Sequence, residues 1–145
     1  MNIQTILATK GAEVVTVGPN QTIRDAVATL AQHNFGALVV VNDSHKPIGI
    51  ISERDIVRLA ASNEDCFSIP VNEVMTKNVI TGVRQDDLRA VANTMTENHI
   101  RHLPIVDRER VLIGIISIGD IVKAERNRFE GEADTLRTQI LADAA

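Results

Sequence analysis

Hydrophobic and polar positions follow one another along this chain in an arrangement that occurs twice. Residues 14–57 align with residues 79–122 at a constant offset of 65 without a gap, and 14 of the 44 pairs are identical. Each copy predicts the order strand, helix, strand, strand, helix. In the first, a strand is expected from Glu13 to Val17, then a turn at Gly18-Pro19-Asn20. Ile23, Ala26, Val27, Leu30 and Ala31 recur at helical spacing and predict a helix from about Thr22 to His33. Ala37 to Asn42 is a continuous, valine-rich apolar run of the kind a strand covered on both faces shows. Asp43-Ser44-His45-Lys46-Pro47 carries turn chemistry, Ile48 to Ile51 is the next strand, and a helix opens at Ser52. The second copy predicts a strand over Val79 to Thr81 and a helix face of Leu88, Val91, Ala92 and Met95. Strands at Leu103 to Asp107 and Leu112 to Ile116 and a last helix after Ser117 complete it.

A unit this small cannot bury its own hydrophobic face, so two copies are expected to pack on each other about a pseudo-twofold axis, leaving a cleft between them. Residues 62–73, with a polar start and Pro70, read as a connector. In the tail, Phe129, Ala133, Leu136 and Ile140 draw a narrow apolar stripe on a helix, in which Gly131 costs about 1 kcal/mol relative to alanine. That stripe fits a helix packed on its own module and a helix lying on a partner subunit equally well.

Composition narrows the function. The 145 residues are 44% hydrophobic, enough for one ordinary core, yet apolar runs are about five residues, far short of the roughly 20 of a membrane span. The first residues lack the pattern of a secretion signal, and one cysteine, Cys66, allows no internal disulfide, so a cytoplasmic setting is expected. A net charge of −4 with acids and bases interspersed shows no basic stripe, and with no Trp or Tyr there is little for single strands to stack on. Nucleic acid and membrane are therefore not expected partners. His33, His45, His99 and His102 lack zinc spacing, and no phosphate loop or Gly-x-Ser-x-Gly elbow is present, so no metal and no catalytic residues are expected.

The candidate chemistry sits at two strand–turn–helix junctions, Ser52-Glu53-Arg54-Asp55 and Ser117-Ile118-Gly119-Asp120. A serine followed three residues later by an acid is a capping arrangement worth about 1 kcal/mol. The same junction also offers a hydroxyl, a carboxylate and free backbone N–H groups at one sheet edge, which suits a ribose diol and a nearby phosphate. Gly49 and Gly114, inside strands, mark a close approach, either of the other copy or of a ligand. The copies differ most where Gly36-Ala37 becomes Arg101-His102, either an anion clamp or a solvated strand start. Arg54 becomes Gly119, so two symmetric sites would differ in charge.

The doubled Gly-Ile-Ile-Ser-x-x-Asp-Ile-Val, preceded by Gly36-Ala37-Leu38-Val39-Val40-Val41 in one copy and Ile100-Arg101-His102-Leu103-Pro104-Ile105-Val106 in the other, resembles the cystathionine-β-synthase (CBS) domain family. Val74-Met75-Thr76-Lys77-Asn78-Val79 resembles the lead-in to a second repeat, and the likeness covers about residues 8–125. The whole chain looks like a stand-alone bacterial CBS pair, a Bateman module with no attached enzyme or transporter. The resemblance implies an α/β (α+β) fold of tandem βαββα repeats, at 8–66 and 74–131, with a helical tail at 132–145. It implies a cleft for adenosine-containing ligands, AMP, ATP or NAD foremost and S-adenosylmethionine among them. Asp55 and Asp120 would hold ribose hydroxyls, assisted by Ser52 and Ser117 and by the first-strand Thr16 and Thr81. Phe35, Gly36 and Ala37, and Ile100, Arg101 and His102 with Pro104 after them, would border base and phosphate, with Arg54 as a further phosphate contact. The purine would lie between aliphatic side chains. Such modules pair into discs, so a homodimer that modulates an unidentified protein is the leading expectation. A dimerisation scaffold with no physiological ligand is the second, and a redox- or metal-responsive module built on Cys66 and histidines the third. The first lead-in, Ile6-Leu7-Ala8-Thr9-Lys10-Gly11, departs from the Val-Met-Thr form.

Overall fold

The computed structural model describes residues 1–11 and 14–144, residues 143 and 144 by backbone alone. Its elements are α1 (Ile3–Lys10), β1 (Thr16–Val17), α2 (Ile23–His33), β2 (Ala37–Val41), β3 (Pro47–Ser52), α3 (Glu53–Ser62), α4 (Leu88–Glu97), β4 (His102–Val106), β5 (Leu112–Ser117) and α5 (Ile118–Ala144). Single 3₁₀ turns at Cys66–Ser68 and Val71–Glu73 lie between α3 and α4. Local chemistry sets the helix starts. Thr22 and Asp25 cap α2 reciprocally, and Asp87 accepts the N–H groups of Arg89 and Ala90 at the start of α4. Asn34 and His99, 65 residues apart, end α2 and close the α4 turn with left-handed φ of 56° and 55°, swinging each chain into its next strand.

One sheet runs β1-β2-β3, with β1 parallel to β2 and β2 antiparallel to β3; β4 and β5 form the antiparallel partner sheet. The strand expected from Glu13 begins at Thr16, and Glu13 itself lies outside the described residues. The strand expected over Val79 to Thr81 does not form. Its place is taken by a single parallel bridge of Gly82 to Ile105, held by Gly82 N–H to Pro104 O at 2.9 Å and Val106 N–H to Gly82 O at 2.9 Å. The cause is Pro104, which stands where Val39 stands in the first copy and has no N–H to extend the ladder.

Each repeat has its own core, and each core is completed by the segment leading into the other repeat. Val17, Ile23, Leu30, Leu38 and Ile51 pack with Val71, Val74 and Met75, while Leu88, Met95, Leu103, Ile105 and Ile116 pack with Ile3, Ile6 and Leu7. The backbone repeats the exchange. Val71 N–H donates to Gln21 O at 2.8 Å and Ile23 N–H to Ile69 O at 2.9 Å. Ile3 N–H donates to Asp86 O at 3.0 Å and Leu88 N–H to Met1 O at 3.1 Å. Residues 62–73 are therefore more than a connector, since Cys66 and Val71 are buried. Val39, Val41 and Leu112 join the two halves.

Gly49 and Gly114 make room for the exchanged lead-ins and not for a ligand. A Cβ on Gly49 would collide with Met75, and one on Gly114 would lie 2.5 Å from Leu7 Cδ2. The tail continues the last helix of the second repeat, so α5 is one rod of 27 residues. Phe129, Leu136 and Ile140 are 56%, 59% and 66% exposed, so the stripe does not pack on its own module. No helix among the described residues is long and apolar enough to cross a membrane.

Candidate functional site

Both Ser-x-x-Asp junctions are capping boxes. Ser52 N–H donates to Asp55 Oδ2 at 2.9 Å and Asp55 N–H to Ser52 Oγ at 3.2 Å. Ser117 N–H donates to Asp120 Oδ2 at 2.8 Å and Asp120 N–H to Ser117 Oγ at 3.1 Å. Capping consumes one oxygen of each carboxylate and leaves the other lone pairs for further donors. The cap and a sugar diol are therefore compatible.

Beside Asp55 lies a hollow of about 410 Å³, within the roughly 300–1,000 Å³ span of small-molecule sites. The first repeat supplies Gly36, Ala37, Ser52, Arg54 and Asp55, and the second supplies Ile100, Arg101 and His102. The pseudo-symmetry explains the meeting. The starts of β2 and β4 meet at this hollow, where a Cβ on Gly36 would be 3.9 Å from His102 Cε1. Sequence reasoning missed Glu53, Ile50, His99 and the lead-in residues Thr76, Asn78, Val79 and Ile80, all of which line the wall. The lead-in is there because Thr76 pairs with Ile50 on the edge of β3, N–H to O at 2.9 and 3.0 Å in the two directions. The Val-Met-Thr motif was the available signal.

Thr16, Phe35, Thr81, Pro104 and Ser117 do not line this hollow. Phe35 stacks on His33 with ring centroids 5.5 Å apart, and Pro104 lies buried in β4. Asp120 borders a smaller hollow of about 260 Å³ between α1 and α5.

The electrostatics of the second junction differ. Lys10 Nζ donates to Asp120 Oδ2 at 2.7 Å and to Ile115 O at 2.9 Å. Burial would raise the Asp120 carboxyl, but the Lys10 ammonium and the Ser117 groups outweigh it and hold the carboxyl below its ordinary value. His102 is lowered, first by burial and then by the Lys10 charge, with Asp120 opposing and Arg101 adding to the drop. Its imidazole is thus poised as a neutral group that a phosphate would favour protonating. Among the described residues no cluster of three or more His, Cys, Asp or Glu side chains could hold a metal ion.

Comparison with known proteins agrees with this architecture. The CBS domain family model matches twice, over residues 7–62 and 71–127. The CBS domain-containing protein YhcV of Bacillus subtilis is 38% identical over 129 residues, 88% of this chain and 90% of that protein. The CBS-domain containing protein ATU1752 from Agrobacterium tumefaciens has a TM-score of 0.81 at 37% identity, covering 86% of this chain and 99% of that one. The CBS domain pair of MJ0100, in complex with 5'-methylthioadenosine and S-adenosyl-L-methionine, has a TM-score of 0.76 at 28% identity over 88% of this chain and 98% of that one. CBSX2, in complex with AMP, has a TM-score of 0.70 at 25% identity over 79% and 88%. With two matched repeats that exchange their lead-ins and share a cleft, the chain belongs to the CBS domain family as a tandem CBS pair.

Proposed function

We propose that this CBS pair is a non-catalytic regulatory module whose cleft takes an adenine nucleotide beside Asp55. The observation that carries the reading is the composition of the 410 Å³ hollow, which brings two carboxylates (Asp55 and Glu53), two arginines, two histidines and an aliphatic wall together from both repeats. Asp55 keeps acceptor capacity for ribose hydroxyls beyond the one N–H it caps. Ile50, Val79, Ile80 and Ile100 offer the apolar faces a purine needs. Arg54, Arg101 and His102 favour a phosphate, which argues for AMP, ATP or NAD over the cationic tail of S-adenosylmethionine. Relatives crystallised with AMP, with 5'-methylthioadenosine and with S-adenosyl-L-methionine support adenosine as the shared part of the ligand. Binding then biases the module between states that a separate protein reads, by no more than the ligand's differential affinity for those states.

Thermal denaturation with AMP, ATP, NAD and S-adenosylmethionine tests this. A ligand at a hundred times its Kd adds about 2.7 kcal/mol of stability, several degrees for a chain of this size. The gain should vanish in Asp55→Asn, whose amide oxygen still accepts the Ser52 N–H. Unmoved curves with all four ligands would rule the reading out.

A second reading, a dimerising scaffold, is favoured by one feature, the exposed stripe of α5. Phe129, Leu136 and Ile140 lie uncovered along the rod, and a second copy of the same helix would present a matching stripe to them. Sedimentation of the wild type and of Leu136→Asp tests whether α5 joins two subunits: the wild type should run as a dimer and the variant as a monomer.

A further inference from the structure

The two lead-ins do not follow the offset of the repeats. Ile3 corresponds to Val71, Ile6 to Val74 and Leu7 to Met75, each pair 68 residues apart, and the matched hydrogen bonds above keep the same shift. On that shift Lys10 corresponds to Asn78, which lines the Asp55 hollow. The second lead-in is extended past Met75 and gives its backbone to Ile50; the first is helical through Lys10. Ile115, the counterpart of Ile50, receives the Lys10 ammonium on its carbonyl, 2.9 Å away, in place of a lead-in N–H. The same ammonium stands 2.7 Å from the carboxylate of Asp120.

We infer that Lys10 is a built-in occupant of the second ribose position, so that the chain takes one adenine nucleotide, at Asp55, and not two. The inference rests on the reading of Asp55 as the ribose acid. Its chemistry is substitution of donors. A diol offers O–H groups to a carboxylate; the ammonium offers a charged N–H to the same carboxylate, on the Oδ2 that also accepts the Ser117 N–H, and charge-assisted bonds are the stronger. A ligand reaching Asp120 must displace the ammonium from both the carboxylate and the Ile115 carbonyl, leaving that carbonyl without the donor it has now. The asymmetry that Gly36-Ala37 and Arg101-His102 introduce on the phosphate side is thus matched by one on the sugar side. A single residue outside both Ser-x-x-Asp motifs sets the stoichiometry.

Isothermal titration of the full chain with AMP is the test. Wild type should saturate at one AMP per chain and Lys10→Met at two, the second being lost again in Lys10→Met/Asp120→Asn. Two per chain in the wild type, or one in a folded Lys10→Met, overturns the inference. A ligand-free readout runs beside it, the pH titration of the Asp120 side-chain carboxyl carbon by NMR. Its midpoint should rise in Lys10→Met, because the ammonium holds it low. An unmoved midpoint overturns the latch whatever AMP does. Absence of AMP binding to both proteins sinks the Asp55 reading instead, and the carboxyl titration then decides the Lys10 contact by itself.

Discussion

Asp55 and Asp120 close the same capping box with the same serine, 65 residues apart, and yet face different surroundings. Asp55 borders an open hollow with basic groups across it; Asp120 holds a lysine from the start of the chain. The difference arises outside the motif. An extended lead-in leaves room beside its acid, whereas a helical one delivers a cation to it. A shared motif therefore fixes local backbone geometry and helix capping, while the packing partner decides whether the acid remains available.

The largest effect should separate the two acids in binding. Asp55→Asn removes a charged acceptor from a sugar diol, about 3 kcal/mol or roughly a hundredfold in Kd for AMP. Asp120→Asn should leave the same titration within about twofold, and equal losses in both variants would erase the contrast. Next come the two strand glycines, compared by urea unfolding. Gly49→Ala drives its methyl into Met75 over several atoms, with Cγ at 2.8 Å and Cβ at 3.2 Å, and should cost about 1–3 kcal/mol. Gly114→Ala meets one terminal methyl of Leu7, the next atoms being at 3.7 Å, and should cost less than about 1 kcal/mol. A reversed order would break the account of the exchanged lead-ins.

The pH dependence sharpens the comparison further. The fold lowers the His102 titration, so its neutral form is favoured and the associated stability is present above the ordinary imidazole range. It is lost as pH falls from there through the folded value. AMP should move the His102 midpoint upward in an NMR titration, and a downward move would place the phosphate elsewhere. The smallest effect is that of the latch on stability. Lys10→Met should cost about 0.5 kcal/mol, reduced by salt, because the pair is partly solvated. Asp120 is held below its ordinary value, so the contribution is present above that value and lost as pH falls through the folded one. Melting curves of variant and wild type should converge in acid, and divergence there would remove the ion pair from the account.

The gapless repeat made the strands, the helix starts and both capping boxes legible, since each rests on neighbours within a few residues. Arg54, Arg101 and His102 were legible as phosphate candidates, but which acid they share a hollow with was not, because that depends on how the two repeats meet. The lead-ins were not legible, because their shift of 68 breaks the register of 65 and their likeness is only apolar: Ile3 with Val71, Leu7 with Met75. Lys10 reaches across 110 residues to Asp120, a contact that no local pattern carries. Phe35 was expected in the site as a strand-start residue, but the left-handed Asn34 before it leaves the ring on His33. Pro104 carried a readable signal, a missing donor in a strand, and that signal bore on the ladder more than on the ligand.

The most direct measurement is an amide NMR titration of the wild-type chain with AMP. Saturable shifts confined to the Asp55 junction and the facing Arg101-His102, with the amides of Asp120 and Lys123 still, are the predicted result. Saturable shifts at Asp120 and Lys123 with Asp55 unmoved would contradict it.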